Sequence, residues 1–364
     1  MKPHIPVPVP PQNLHWEKLI PYIASANEKL ARYDGLLQNF INPGILLSPL
    51  TTKEAVLSSK IEGTQATLED VLEFEAGLDK EKSEREIHDI QEIRNYRNAL
   101  EYAEKELENR KISLHLIKQI HYILMQGVRG KYKNPGEFRQ VQNWIGPPGS
   151  TMENARFVPP DPLLVPPFME QLTTFMNSDY VDTIVQLAII HAQFEIIHPF
   201  KDGNGRIGRL LIPLFLFEKK KIIRPVFYMS QYLENHRTEY YDKLRAITEK
   251  DDWQGWVEYF LEAMVIQAEN NVYKAKQILT LYEELKNQFI ETTHSQHAIH
   301  VLDAFFTKPI IDTKNLLKIS GVNKNSLRPV LRKLLSEGMI KSEFPGAGRK
   351  PAVYSLPKLL DIID

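Results

Sequence analysis

Two strongly apolar helical patterns, over residues 183–197 and 205–217, flank a short polar loop and constrain the fold of this chain more than any other feature. Residues 198–209 read His-Pro-Phe-Lys-Asp-Gly-Asn-Gly-Arg-Ile-Gly-Arg. Strongly apolar helices are buried in folded domains. We therefore expect a mainly helical protein in which a polar insert lies between two rigid buried elements, a frequent place for a functional site.

The loop combines a titratable base with backbone groups that bind anions. Pro199 disfavours helical geometry in the residue before it, so we expect the first helix to end at His198 and to project its imidazole. Gly203 and Gly205 permit positive φ, which lets successive N–H groups turn toward an anion, and Gly205 is predicted to open the second helix. Histidine titrates near physiological pH and can take a proton from an attacking hydroxyl.

Two arginines three residues apart, Arg206 and Arg209, are predicted in the first turn of the second helix. A cation is unfavourable at the positive end of the helix dipole, which indicates a compensating phosphate or carboxylate. Asp202 is placed to hold a magnesium ion that bridges phosphates. The residues alone therefore predict a polyphosphate site with a histidine base.

Other interpretations fit parts of the same loop. Gly203, Gly205 and Gly208 match the dinucleotide-binding pattern G-x-G-x-x-G. That pattern needs a preceding strand and an acidic residue about 20 positions further on, but the preceding segment is predicted to be helical and residues 225–233 contain no acid. A P-loop would end in Gly-Lys-Ser or Gly-Lys-Thr, which this loop lacks. A simple connecting turn capped by an aspartate explains neither the arginines nor the glycines.

A zinc site is a further alternative. His191, Glu195 and His198 are spaced i, i+4 and i+7, so they share one helical face and carry suitable ligand atoms. Pro199 disrupts the turn at His198, however. We favour a polar core contact in which His191 and Glu195 satisfy each other.

Residues 198–209 resemble the signature of the Fic family, H-x-F-x-(D/E)-G-N-G-R-x-x-R, at every specified position. Flanking segments are similar to the family as well: Phe138-Arg139, Gln142 to Gly146, Phe157 to Pro160, Phe194-Glu195, Arg237 and Tyr240-Tyr241. The resemblance extends over about residues 10–275 and implies a helical core that transfers AMP from ATP to a Ser, Thr or Tyr hydroxyl of a target protein, itself included.

The resemblance also implies roles for individual residues. His198 would deprotonate the target hydroxyl, Asp202 would hold Mg²⁺, and Arg209 would bind the γ-phosphate. Tyr241 and Tyr240 would lie beside the adenine or ribose. The implied ATP-binding set is Asp202, Gly203, Asn204, Gly205, Arg206, Ile207, Gly208, Arg209, Tyr240 and Tyr241. The implied flap, which would align the target backbone by strand addition, is Ile145, Gly146, Pro147 and Pro148.

A second motif precedes the core. Residues 58–63 read Ser-Ser-Lys-Ile-Glu-Gly and resemble the family's inhibitory motif, (S/T)-x-x-x-E-(G/N). Ser58 and Glu62 share one helical face, and Gly63 is a plausible helix end. By itself this short pattern is common at helix ends. Beside the full signature it implies that Glu62 pairs with Arg209, takes the place of the γ-phosphate and inhibits the enzyme.

The sequence predicts three domains: an N-terminal helical region over 1–110, a catalytic core over 111–290 and a winged-helix-like domain over 295–364. Within the core, strand-like residues 138–144 and 156–158 predict a small β-hairpin flap. The fold class is therefore mainly α, with this flap and a small α+β domain at the end. Further helical patterns cover residues 16–74, 85–109, 114–127, 164–176, 230–247 and 253–289.

The last domain is basic. Helical patterns followed by a hairpin over 340–354 are typical of a winged helix, and residues 308–358 contain 11 lysines and arginines against three acidic residues. DNA binding is compatible with this charge; protein docking or support of a homo-oligomer is the alternative. Pro329 is expected in the first turn of its helix. The candidate DNA-binding residues are Lys324, Arg328, Arg332, Lys333, Arg349 and Lys350.

The whole chain has a formal net charge of -1 and no cysteine, which excludes disulfides and thiol catalysis and suits a reducing cytoplasm. Its start has no signal-peptide pattern, and the apolar run over 210–217 is far shorter than the roughly 20 residues that span a bilayer. We expect a soluble, cytoplasmic protein without membrane contact. A nucleotide-sensing transcriptional regulator, removal of AMP and another phosphate-linked donor remain alternatives.

Overall fold

The computed structural model describes residues 2–40, 42–78, 82–127, 132–147 and 149–363. The helices of the described residues are α1 (Trp16–Gln38), α2 (Pro43–Leu46), α3 (Ser48–Ile61), α4 (Leu68–Glu75), α5 (Glu84–Leu107), α6 (Leu114–Leu124), α7 (Val165–Met176), α8 (Thr183–Ile197), α9 (Asn204–Glu218), α10 (Ser230–Asn235), α11 (Arg237–Lys250), α12 (Trp253–Thr293), α13 (Ala298–Thr307), α14 (Thr313–Ser320), α15 (Lys324–Ser336) and α16 (Pro357–Ile363). The strands are β1 (Ile310–Asp312), β2 (Lys341–Phe344) and β3 (Val353–Ser355). The expected mainly helical fold is confirmed.

The chain forms two compact units that are interleaved along the sequence. One unit contains residues 1–35, 57–64 and 94–269, and the other contains residues 36–56, 65–93 and 270–364. Helices α1, α3, α5 and α12 each contribute residues to both units. The three consecutive domains expected from the sequence stay a prediction, since these units follow packing and not chain order.

Helices α8 and α9 form the centre of the first unit. In α8 only Thr183 and Glu195 are not buried, and α9 is buried from Asn204 to Leu216. Asp182 caps α8, because its Oδ1 accepts hydrogen bonds from the backbone N–H groups of Ile184 and Val185. Apolar residues on every side of both helices explain this burial. The polar loop between them is thus held at both ends by the core.

The flap has less β structure than the sequence suggested. Residues 138–144 are not a strand; the pairing is a single antiparallel bridge between Ile145 and Phe157. The Ile145 N–H donates to the Phe157 oxygen at 2.8 Å, and the Phe157 N–H donates back at 3.1 Å. Prolines and glycines interrupt both sides of this turn, which prevents a longer ladder.

The end of the second unit has the predicted order of elements, with one strand that the sequence did not reveal. Helix α13 leads through β1 into α14 and α15, and β2 and β3 form a hairpin. The sheet is antiparallel in the order β1-β3-β2. Strand β1 has only three residues, too few for a recognisable alternation.

None of the described helices is long and apolar enough to cross a membrane.

Candidate functional site

His198 ends α8, as expected from the following proline, and it adopts the left-handed conformation with φ 48°. Its Nδ1 lies 3.3 Å from the Glu195 backbone oxygen. Because that oxygen can only accept, Nδ1 carries the proton and Nε2 keeps its lone pair. Burial lowers the pKa of His198 to about 4. The imidazole is therefore neutral at physiological pH, with Nε2 able to accept a proton.

Hydrogen bonds fix the backbone that follows His198. The Asn204 side chain accepts from the Phe200 N–H at 2.8 Å and donates to the Phe200 oxygen at 2.9 Å. Arg139 reaches the same loop from the other side: its Nε donates to the His198 oxygen at 2.9 Å, and its backbone N–H donates to the Pro199 oxygen at 2.9 Å. The loop is thus preorganised.

His121 supports the next part of the loop from α6. Its Nδ1 accepts from the Gly136 N–H at 2.9 Å, so its protonated Nε2 donates to the Asp202 backbone oxygen at 3.1 Å. The ring stacks on Phe200 with centroids 3.7 Å apart. Burial lowers the pKa of His121 to about 4, which keeps this tautomer neutral.

Asp202 is the carboxylate that could hold a metal ion with a bound polyphosphate. Its side chain is 43% exposed, and Lys133 Nζ lies 3.4 Å from its Oδ2. Mg²⁺ is commonly bound by one or two carboxylates together with substrate phosphates and water. An exposed carboxylate beside an anion-binding helix end fits this role. The described residues contain no cluster of three or more acidic or histidine ligands.

The second helix begins one residue earlier than expected. Gly203 is the N-cap of α9 and has φ 78°, as the sequence predicted. Gly205 is instead an ordinary helical residue; its importance is space, because a Cβ there would overlap Glu62 Oε1. Arg206 lies in the first turn, 3.6 Å from Asp202 Oδ1. Arg209 is the sixth residue and therefore lies in the second turn, not in the first.

The segment that resembles the family's inhibitory motif, residues 58–63, meets Arg209 directly. Arg209 Nε donates to Ser58 Oγ at 2.9 Å, and Nη2 donates to the Ser58 oxygen at 2.8 Å and to Glu62 Oε1 at 2.7 Å. The Arg209 side chain is 1% exposed and that of Glu62 is 35% exposed. Burial opposes ionisation of Glu62, but the Arg209 guanidinium outweighs it and lowers the pKa. Gly63 follows with φ 101°, which suits its place after the helix.

The expected contact between His191 and Glu195 is absent from this arrangement. His191 Nδ1 pairs with the Gly208 oxygen at 3.1 Å, and its Nε2 pairs with the Tyr240 hydroxyl at 2.9 Å. These bonds use both ring nitrogens, which leaves none for zinc. Tyr240 is thereby a core residue.

Glu195 projects from α8 against α9. A Cβ at Gly208 would overlap Glu195 Oε1, so this glycine makes room for the carboxyl. Within the described residues, Oε1 is buried and has no hydrogen-bond partner. Burial raises the pKa of Glu195 to about 8, although Arg209 opposes the shift. A carboxyl group that is neutral at physiological pH thus lies beside the Arg209 site.

A cavity of about 550 Å³ opens beside these residues. The flap residues Ile145, Gly146 and Pro147 line one side, and Pro148 lies outside the described residues. Tyr241 lines it from α11 and is 40% exposed, whereas Tyr240 does not line it. Glu195 contributes to the wall as well. The cavity therefore lies between the flap, the last turn of α8 and α11.

Sequence patterns alone offer little indication of the residues that support the loop. His121 falls inside an ordinary amphipathic helix, and Arg139 stood out only as part of a family-like segment. An arginine beside Pro- and Gly-rich loops was the available signal, since such loops leave carbonyl groups that need donors.

Comparison with known proteins supports the sequence assignment. The Fic/DOC family N-terminal description matches residues 20–105, and the Fic/DOC family description matches residues 111–216. A probable protein adenylyltransferase of Aquifex aeolicus is 30% identical over 176 residues, 47% of this chain and 49% of the relative. The protein adenylyltransferase Fic of Aedes aegypti is 33% identical over 119 residues, 32% of this chain and 21% of the relative. The chain thus spans about half, or less, of these relatives.

Solved structures agree on the fold. A Fic family protein from Desulfovibrio desulfuricans G20 covers 98% of both chains with a TM-score of 0.59 and 21% identity. Fic-1 from C. elegans has a TM-score of 0.52 and 19% identity, over 71% of this chain and 76% of its own. With the full signature on the α8–α9 loop and two family descriptions that together match more than half of its residues, this chain belongs to the Fic/DOC family.

Proposed function

We propose that the protein is an adenylyltransferase that transfers AMP from ATP to a hydroxyl of a target protein, and that Glu62 restrains this activity. The observation that carries the proposal is the triple hydrogen bonding of Arg209 by Ser58 and Glu62. A buried guanidinium at this site needs an anion, and a carboxylate now supplies it. The names of the Aquifex and Aedes relatives support the same reaction class.

In the proposed reaction the target oxygen attacks the α-phosphorus of ATP. The new O–P bond forms as the bond from the α-phosphorus to the bridging oxygen breaks, and pyrophosphate leaves. Nε2 of His198 accepts the hydroxyl proton, since its neutral ring offers the lone pair. Asn204, Gly205 and Arg206 form the first turn of α9, where the helix dipole favours phosphate.

Mg²⁺ bound at Asp202 would neutralise phosphate charge and help to position pyrophosphate as the leaving group. The base of ATP would enter the cavity next to Tyr241, and the flap at Ile145 would pair with extended target backbone. Ile145 itself bonds to Phe157 and Arg156 through both of its backbone groups, so an added strand would pair with the backbone of its neighbours in the flap.

Restraint by Glu62 follows from competition for Arg209. While the carboxylate holds Nη2, a γ-phosphate at the same guanidinium would place two anions against one buried cation. ATP would then bind weakly or with its α-phosphate out of line. Displacement of Glu62 frees Arg209 to orient the triphosphate, which is the condition for in-line attack.

The decisive experiment uses the Glu62→Gly variant of the full chain with ATP labelled on the α-phosphate. We expect strong labelling of protein, whereas γ-labelled ATP should leave none, because pyrophosphate departs. Glu69→Gly is the matched control, since Glu69 is an exposed glutamate in the first turn of α4. It should label no more than the unmodified chain.

A second variant separates catalysis from binding. Adding His198→Ala to Glu62→Gly should abolish labelling while ATP still binds, measured by calorimetry. Labelling that persists without His198 would contradict the proposed base. Parallel reactions with GTP, CTP and UTP would identify the donor, and preferential transfer from another nucleotide would replace ATP in the proposal.

A further inference from the structure

Helices α14 and α15 form a helix-turn-helix within the second unit. The turn between them is three residues long, and its first residue, Gly321, adopts φ 67°. Val322 in the same turn is buried, as are Leu316 of α14 and Leu327 of α15. A three- or four-residue turn with a glycine is typical of helix-turn-helix DNA-binding motifs. Burial of Leu327 therefore places one face of α15 against the core and leaves the opposite face exposed.

The outward face of α15 carries regularly spaced cations. Lys324, Arg328 and Arg332 are exposed and four residues apart, so they lie along one side of the helix. Within the described part of the chain, none of these three forms an ion pair. The inward face is apolar, with Leu327, Val330, Leu331 and Leu334 buried. Packing therefore fixes the helix while its cations face solvent.

The hairpin adds two further cations. Strand β3 is the central strand of the sheet, which anchors the hairpin to β1. The turn between β2 and β3 carries exposed Arg349 and Lys350, and Gly346 and Gly348 have positive φ of 84° and 58°. Arginine and lysine side chains on a turn of this kind can contact a phosphate backbone.

Two details refine the expectation from the sequence. Lys333 is exposed as well, but its Nζ donates to the Thr293 oxygen at 3.2 Å, so part of its hydrogen-bonding capacity is used within the protein. Pro329 lies in the second turn of α15 and not in the first. It is exposed, so its missing N–H leaves a carbonyl that water can satisfy.

Charge is concentrated at this end of the chain. Residues 308–358 carry 11 lysines and arginines against three acidic residues, while the whole chain has a net charge of -1. The remainder is therefore net acidic. Such a local excess of cations on a protein without overall positive charge indicates an anionic partner for this segment.

We propose that α15 and the β2–β3 turn form a binding surface for duplex DNA. The exposed face of α15 enters the major groove, which admits an α-helix, and Arg328 and Arg332 contact phosphates or base edges there. Arg349 and Lys350 contact the adjacent backbone. Duplex RNA is a poorer partner because its major groove is deep and narrow. This proposal is independent of AMP transfer.

Fluorescence anisotropy with the full chain and a labelled 30-base-pair mixed-sequence duplex tests the proposal. We expect binding at 50 mM salt that weakens steeply as salt rises, because phosphate contacts release counterions. The double variant Arg328→Gln/Arg332→Gln should lower affinity at least about tenfold and reduce the salt slope by about 2. Lys358→Gln is the matched control: Lys358 is exposed on α16, outside both elements.

Circular dichroism and thermal unfolding must match between the variants, so that lost binding reflects lost contacts. No duplex binding at 50 mM salt would overturn the proposal. An equal loss of affinity in Lys358→Gln would also overturn it, because binding would then depend on net charge and not on α15 and the β2–β3 turn. Equal or tighter binding to duplex RNA, or to vesicles of phosphatidylserine, would assign the surface to another anionic partner.

Discussion

Arg209 Nη2 donates to Glu62 Oε1 at 2.7 Å, and these residues are 147 positions apart in the sequence. The guanidinium is fully buried, whereas the carboxylate keeps access to solvent. A buried cation cannot be left without an anion, but a partly exposed carboxylate can leave at lower cost. The pair is therefore asymmetric: under the proposed mechanism Arg209 stays, and Glu62 is the member that would exchange with a phosphate.

Neutralising Glu62 without changing its shape should increase ATP affinity. In Glu62→Gln the amide can still contact Arg209 but no longer compensates its charge, so the triphosphate becomes the preferred anion. We expect Kd for ATP to fall by about tenfold, the scale of one charge-assisted hydrogen bond. Calorimetry on the unmodified and variant chains measures it. An unchanged Kd would mean that Glu62 and the triphosphate do not compete.

Two adjacent serines give a matched test of the Arg209 network. Ser58→Ala removes the acceptor for Arg209 Nε, which should cost about 1–3 kcal/mol and lower Tm by several degrees. The Ser59 hydroxyl is buried without a hydrogen-bond partner in the described residues. Ser59→Ala should therefore leave Tm unchanged or raise it slightly. Equal losses from both variants would indicate general packing damage.

The pKa of His198 predicts the acidic limit of activity. Burial lowers it to about 4, so the neutral base persists from pH 8 down to about pH 5. We expect the labelling rate of Glu62→Gly to hold over that range and to fall as the pH approaches 4. The free energy of unfolding also falls as pH drops from about 6.5 toward 4, because in that range the unfolded chain binds this proton and the folded chain does not. A fall in rate already centred at pH 6.5 would contradict a buried neutral histidine.

The raised pKa of Glu195 predicts a loss of stability toward higher pH. Its pKa is raised to about 8 from an ordinary value of 4.5. The unfolded carboxyl therefore ionises first, and its contribution lowers stability as pH rises from about 4.5 to 8. Glu195→Gln keeps a neutral group of similar shape and should remove this loss. Urea unfolding of both chains at pH 5, 7 and 8 tests it: their difference in free energy of unfolding should grow with pH. A constant difference would place the Glu195 pKa near its ordinary value.

Local sequence predicted the elements around the site well. Proline after His198, glycine at 203 and apolar residues throughout 183–197 and 205–217 each act through φ or burial of nearby residues. Such constraints extend over a few positions, so they can be read without knowing the fold. The same reasoning placed Arg209 in the first turn of the helix, but it is the sixth residue of α9 and lies in the second turn.

Two other predictions from the sequence were wrong because they depend on contacts with residues that are distant in the chain. Residues 138–144 look strand-like, but a strand forms only where a partner is available for its hydrogen bonds, and here pairing stops at Ile145 and Phe157. His191 and Glu195 share a helical face, yet Tyr240 and the Gly208 carbonyl reach His191 instead.

By itself the sequence determined the mainly helical fold, the turn that ends α8 at His198 and the grouping of base, carboxylate and arginines on one loop. Tertiary structure alone decided that Arg139 and His121 hold that loop and that the Oε1 atom of Glu195 is buried without a hydrogen-bond partner among the described residues. It also placed the helix end bearing Ser58 and Glu62 against Arg209, which the family motif had suggested. Helix ends and turns depend on neighbouring residues, whereas contacts between distant residues depend on how whole helices pack.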